Sequence, residues 1–104
     1  MDTQLKRGLL EICTLSAIRD GESYGYQIIK DVRPYIALSE STLYPILRRL
    51  EEGGLLTVHP REHGGRLRKY YRITPQGLSR LAAFKSEWEE MQQIYQYVTR
   101  EEGS

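Results

Sequence analysis

The 104 residues predict a mainly α fold with a small β-hairpin, and three observations carry that prediction. Before Gly53, three separate stretches place apolar residues three and four apart, the period of helices that each bury one stripe. After Gly54 the pattern changes to branched and aromatic runs on either side of a Gly-Gly pair, the composition of a hairpin. From Pro75 the helical period returns and continues to about Val98 or Arg100.

The first helix is expected from about Gln4 to Arg19, with Leu5, Leu9, Ile12, Leu15 and Ile18 as its stripe and Asp20-Gly21 as its stop. Ser23 is placed to cap a second helix, Tyr24 to Val32, whose Ile28, Ile29 and Val32 turn inward. Pro34 bars its continuation. Ser39-Glu40-Ser41-Thr42 opens a third helix with Leu43, Ile46, Leu47 and Leu50 as its stripe, and Gly53-Gly54 ends it by supplying positive φ. Pro45 lies too deep for a first-turn proline, which predicts a missing backbone hydrogen bond and a mild bend. Leu55–Pro60 and Leu67–Ile73 are the two β-runs, joined by a basic loop from Arg61 to Arg66. Thr74 is the expected N-cap of the last helix and Pro75 its first residue.

Length and composition bound the function. One domain with a modest core is expected. No stretch reads as a signal peptide or a membrane span, so the expected location is cytoplasmic, with no membrane partner. The lone Cys13 excludes an internal disulfide and a cysteine zinc cage, and its apolar setting suits a small buried hydrophobe. No cofactor is implied. The net charge of +1 decides nothing, but its distribution does. Arg61, Arg66, Arg68, Lys69 and Arg72 face one acid, Glu62, within one short stretch, whereas beyond Phe84 five glutamates outweigh Lys85 and Arg100. The basic stretch can neutralise phosphates and the acidic end should stay away from them.

Three helices followed by a hairpin is the order of a winged helix-turn-helix, in which the third helix enters the major groove. Its apolar stripe leaves Ser41, Thr42, Tyr44, Pro45, Arg48 and Arg49 for DNA: hydroxyls suit phosphates and base edges, and arginine bonds guanine bidentately. On the hairpin, Gly65 permits close approach to the backbone, Arg66 at the tip suits a narrow minor groove, and Arg68 and Lys69 add charge. An ordinary solvated helix face and a solvated basic hairpin are the bland alternatives; their occurrence together and in this order favours DNA.

A helix from Pro75 to Arg100 is about 39 Å long at ~1.5 Å per residue, longer than a domain of this size is wide. Leu81, Phe84, Trp88, Met91, Tyr95 and Val98 are spaced alternately three and four apart, a coiled-coil seam that a monomer would expose. Two-fold association is the simplest solution, giving a DNA-binding unit over residues 1–74 and a dimerisation helix with a short tail over 75–104. Glu101 to Ser104 read as a frayed end.

An enzyme is not expected: His59, Glu62 and His63 lie on a hairpin with no third convergent ligand. A metal-sensing repressor finds poor ligands in one cysteine and scattered histidines. The alternative to a DNA-binding regulator is a winged-helix module that binds protein through the same exposed face.

Tyr24-Gly25-Tyr26-Gln27-Ile28, Ser41-Thr42-Leu43-Tyr44-Pro45-Ile46-Leu47-Arg48-Arg49-Leu50-Glu51, Gly64-Gly65-Arg66-Leu67-Arg68-Lys69-Tyr70-Tyr71 and Thr74-Pro75-Gln76-Gly77 together resemble the PadR family of transcriptional regulators over nearly the whole chain. The length is similar to the short subfamily with a single C-terminal helix. The resemblance implies a dimeric repressor that binds operator DNA, with Tyr70 joining the hairpin residues of the DNA contact. It implies also that some members are released by a small aromatic effector. In multidrug-sensing relatives a tryptophan on this helix lines a cavity at the dimer interface; Trp88 matches that position, with Met91 and Tyr95 as neighbours.

Overall fold

Burying three amphipathic stripes against one another builds the core, and a computed structural model, which describes residues 1–101, shows the arrangement. Of the tail expected over 101–104, residues 102–104 lie outside the described residues. The helices are α1 (Thr3–Ala17), α2 (Gly25–Val32), α3 (Glu40–Glu52) and α4 (Pro75–Val98), with strands β1 (Ser23–Tyr24), β2 (Leu56–His63) and β3 (Arg66–Ile73). Leu15, Ile18, Ile28, Leu43, Leu50 and Leu56 are among the residues that close the core between α1, α2, α3 and the sheet. The stripe expected on α1 is displaced at its start: Leu10 is buried, whereas Leu5 is exposed. α1 packs against α4 as well as against α2 and α3, so it has apolar work on more than one face.

The sheet differs from expectation in two ways. It has three strands rather than two, in the antiparallel order β1-β3-β2. Ser23 does not cap α2; it is buried in β1, paired with Tyr71, while Tyr24 pairs with Tyr70 and occupies the N-cap position without a side-chain cap bond. The free edge of β3 supplies backbone partners for these two residues, and that outweighs a local hydroxyl cap. The hairpin loop is also shorter than expected. Gly64 and Gly65 both adopt positive φ, +57° and +80°. That is the backbone of a two-residue primed turn, which matches strand twist, so Arg61, Glu62 and His63 join the ladder up to the pair His63–Arg66.

α3 runs unbroken through Pro45, whose nitrogen cannot donate to the Ser41 carbonyl. Ser39 is its N-cap by position, but its hydroxyl pairs with those of Ser41 and Thr42 at 3.1 Å instead of capping an amide. Of the two glycines that end α3, only Gly54 takes a positive φ, +75°.

The start of α4 is pinned from both sides. Thr74 Oγ1 accepts from the Gly77 amide at 3.1 Å and donates to the Gly54 carbonyl at 2.6 Å, while the Thr74 amide donates to Leu55. Gly77 is buried against this turn: a Cβ there would clash with the Leu55 carbonyl and stand 2.5 Å from Ile73 Cγ1. Gly77→Ala is therefore expected to destabilise the fold by roughly 1–3 kcal/mol through overpacking, read as a lowered urea midpoint at unchanged slope. An unchanged midpoint would mean that α4 leaves the domain more loosely than this turn indicates.

Beyond that anchor α4 projects. The molecule measures 66 × 26 × 21 Å with a radius of gyration of 16.4 Å, against about 13 Å for a compact chain of this length. The excess is the far half of α4, whose residues from Lys85 onward are all exposed.

Candidate nucleic-acid interface

The apolar stripe of α3 fixes which of its side chains can meet a partner. With Leu43, Ile46, Leu47 and Leu50 buried, Ser41, Thr42, Tyr44, Pro45, Arg48 and Arg49 are exposed. They divide between two flanks. Thr42, Pro45 and Arg49 line a depression with Thr3, Lys6 and Arg7 of α1, and Arg49 Nε donates to Glu11 Oε1 at 2.7 Å. Tyr44 and Arg48 face the hairpin, where they share a cleft with Lys69 and Tyr71. Tyr44 also lines an open cleft of about 850 Å³ with Tyr24, Tyr26, His63, Arg66 and Leu67.

Strand geometry divides the hairpin charges in the same manner. Successive strand residues point to opposite faces, so Lys69 lies on the face of Tyr71, towards α3, while Arg66, Arg68 and Arg72 share the other face with Tyr70. Across the ladder, Arg61 opposes Arg68 and thus joins that second face. There Arg61, Arg68 and Arg72 are engaged. Arg61 stacks on Tyr70 at 3.9 Å from the ring centroid and pairs with Glu22; Arg68 stacks on Tyr24 at 4.0 Å. The Tyr24 and Tyr70 rings meet edge to face at 5.8 Å, and Arg72 Nε donates to Glu22 Oε2 at 2.9 Å. Interleaved guanidinium and aromatic groups of this kind stiffen the hairpin base against β1. Among the described residues, no carboxylate pairs with Arg48, Arg66 or Lys69.

The sequence reading missed Glu22 and Glu11, which hold arginines in place, and Lys6, Arg7 and Arg33, which flank the start of α3. Their charges are visible in the chain, but nothing local shows that α1 and the residues after α2 converge on that point.

The hydrogen bond from Arg72, reinforced by the charges of Arg61 and Arg72, holds the Glu22 carboxyl below its ordinary value of 4.5. A depressed carboxylate pKa contributes stability that is present above the ordinary value and is lost as pH falls through the lowered one. Thermal melts of the wild type should therefore drop more steeply below about pH 4.5 than those of Glu22→Gln; parallel curves would show that the clamp adds nothing. Burial raises the Tyr71 hydroxyl, with Tyr44 and Glu51 adding to the shift, and burial likewise raises the Cys13 thiol.

On α4, Leu81 and Phe84 are half-buried, while Trp88, Met91, Tyr95 and Val98 are exposed. Phe84 and Trp88 stack with centroids 6.2 Å apart. Among the described residues no group of three or more His, Cys, Asp or Glu could hold a metal ion, and no helix is long and apolar enough to cross a membrane.

Comparison with known proteins gives the same picture. The profile of the family described as the transcriptional regulator PadR-like family matches residues 14–83. The chain is 34% identical over 89 residues to the transcriptional regulator Rv3488 of Mycobacterium tuberculosis, covering 85% of this chain and 83% of that protein. A transcriptional regulator from Clostridium thermocellum superposes with a TM-score of 0.83 at 31% identity, over 96% of this chain and 99% of its own. Bacillus subtilis PadR, solved in complex with operator DNA, superposes with a TM-score of 0.69 at 26% identity, over 73% of this chain and 46% of that one. The architecture is a winged helix-turn-helix with a long C-terminal helix.

Proposed function

This chain belongs to the PadR-like family of transcriptional regulators, not to an enzyme family, and from that premise we propose that it is a homodimeric repressor that binds operator DNA. The observation that carries the reading is the pairing of an exposed polar face on α3 with a hairpin whose Arg66 and Lys69, together with Arg48, have no carboxylate partner among the described residues. In this reading α3 enters the major groove, with Arg48 and Tyr44 on its hairpin flank and Ser41, Thr42 and Pro45 at its opening turns. The hairpin, through Gly65, Arg66 and Lys69, follows the adjacent backbone. Arg49, Arg68 and Tyr70 act mainly by holding these elements, given their contacts with Glu11, Tyr24 and Arg61. The operator complex of Bacillus subtilis PadR supports the choice of partner. In this reading residues 1–74 form the DNA-binding unit and 75–104 the dimerisation helix with its short tail, in a cytoplasmic protein. The test is selection of duplexes from a random pool. A pseudo-palindrome with half-sites about one helical turn apart is the expected product; enrichment of no sequence would favour a winged-helix module that binds protein instead.

Release by a flat aromatic effector is the second part of the proposal. Trp88 stacks on Phe84 and is 45% exposed, with Met91 and Tyr95 following on the seam, so a ring face is available for stacking across a two-fold axis. Glu89 and Glu90 lie on the same turns and favour cations through their field, whereas Glu87 is paired with Arg80 at 3.6 Å. Planar aromatic cations at micromolar concentration should quench the single tryptophan, and Trp88→Ala should weaken that binding far more than it weakens DNA binding. If a panel of such dyes leaves the fluorescence unchanged while Trp88→Ala dissociates the dimer, the residue is a packing anchor and the effector proposal fails.

A further inference from the structure

We propose that Gly25 is a positioning residue for DNA recognition: its missing side chain is the seat of the Tyr44 ring, and it sets where the recognition helix presents that tyrosine. The inference rests on the DNA-binding reading above and deepens it. Gly25 opens α2 and is buried, and its φ is not positive, so no backbone conformation at this position demands glycine. Space does. A Cβ on Gly25 would stand 2.6 Å from Tyr44 Oη, 3.1 Å from Cζ and 3.4 Å from Cε1. All three atoms belong to the outer end of a single side chain, and no other residue comes as close.

The geometry separates position from stability. Leu43 and Leu47, buried on either side of Tyr44 in sequence, hold the α3 backbone in the core. A methyl group at position 25 therefore meets the mobile tip of a ring that is 46% exposed and can swing outward. The fold absorbs the change, but the tyrosine leaves its place in the cleft it shares with Arg66, Lys69 and Tyr71. Outward rotation carries the ring into the space between α3 and the hairpin that the DNA backbone would occupy. Thus α2, which carries none of the proposed DNA contacts, determines the shape of that surface through one absent methyl group.

The experiment uses the full chain and a fluorescein-labelled duplex carrying the site that the wild type selects from a random pool. Gly25→Ala is expected to keep the wild-type circular dichroism and to lose about tenfold in affinity, the scale of one good contact per half-site. The loss should be smaller when Gly25→Ala is made in a Tyr44→Phe background, which lacks the oxygen nearest the new methyl group, and absent in a Tyr44→Ala background. In the free protein, the nuclear Overhauser effect between the Tyr44 ring and the Gly25 α-protons should disappear on Gly25→Ala. An equal loss in all three backgrounds would assign Gly25 to the fold and overturn the proposal, as would unchanged affinity in Gly25→Ala alone. If the wild type selects no duplex, the DNA-binding reading fails and this inference falls with it, a result distinct from a wild type that selects and a variant that binds equally well.

Discussion

Met91→Glu is expected to turn a dimer into a monomer of 12.1 kDa in sedimentation equilibrium, and to take most of the operator affinity with it. Met91 sits midway along the exposed seam of α4, 46% exposed, between Trp88 and Tyr95, with Ile94, Tyr97 and Val98 also open to water in the single chain. A contiguous apolar strip on a projecting helix is a surface that needs a cover, and a second copy supplies it by two-fold symmetry, one substitution then acting twice. Placing two carboxylates in such a seam weakens association by about 3 kcal/mol or more, over a hundredfold in the dissociation constant. DNA affinity follows, because two linked half-site readers gain roughly 10²–10⁴ over one. Wild-type protein that sediments as a monomer at micromolar concentration would overturn the dimer, and a dimer that tolerates Met91→Glu would place the interface elsewhere on the chain.

The hairpin gives the second large effect, and here charge count alone misleads. Four of the hairpin cations, Arg61, Arg66, Arg68 and Lys69, suggest eight phosphate contacts per dimer and a salt slope as steep as about −7. On the reading proposed above Arg61 and Arg68 contribute less to that count, since one is held by Glu22 and Tyr70 and the other lies on Tyr24. Arg48, Arg66 and Lys69 remain, so the slope of log K against log salt is expected near −5, steeper where Lys6, Arg7 or Arg33 reach phosphate. Arg66→Ala should make the slope shallower by about 2, because each subunit then neutralises one phosphate fewer, and should weaken binding to all sequences alike. Arg61→Ala should leave the slope almost unchanged. Arg48→Ala should cost roughly 1–3 kcal/mol and relax preference at one position per half-site. Equal slopes for Arg61→Ala and Arg66→Ala would show that the stacked face, not the tip, meets DNA.

Local chemistry sufficed for much of this protein. The helical periods, the Thr74-Pro75 start of α4, the Gly-Gly turn and the polar face left by the α3 leucines all follow from short-range patterns, because period, capping and backbone freedom are properties of neighbouring residues. The exposed apolar strip on α4 was legible for the same reason: a heptad repeat is written along one helix. What lay beyond the sequence depends on residues far apart in the chain. Ser23 and Tyr24 became a strand because β3, nearly fifty residues later, offered an open edge. The burial of Leu10 in place of Leu5 on α1 depends on which face of that helix meets α2, α3 and α4. The division of the arginines into those held by Glu11, Glu22 and the tyrosines and those left for a partner was likewise invisible, since composition counts charges without pairing them. Gly25 is the sharpest instance. Its neighbours Tyr24 and Tyr26 give no reason for a glycine, and only the approach of Tyr44 from another helix supplies one.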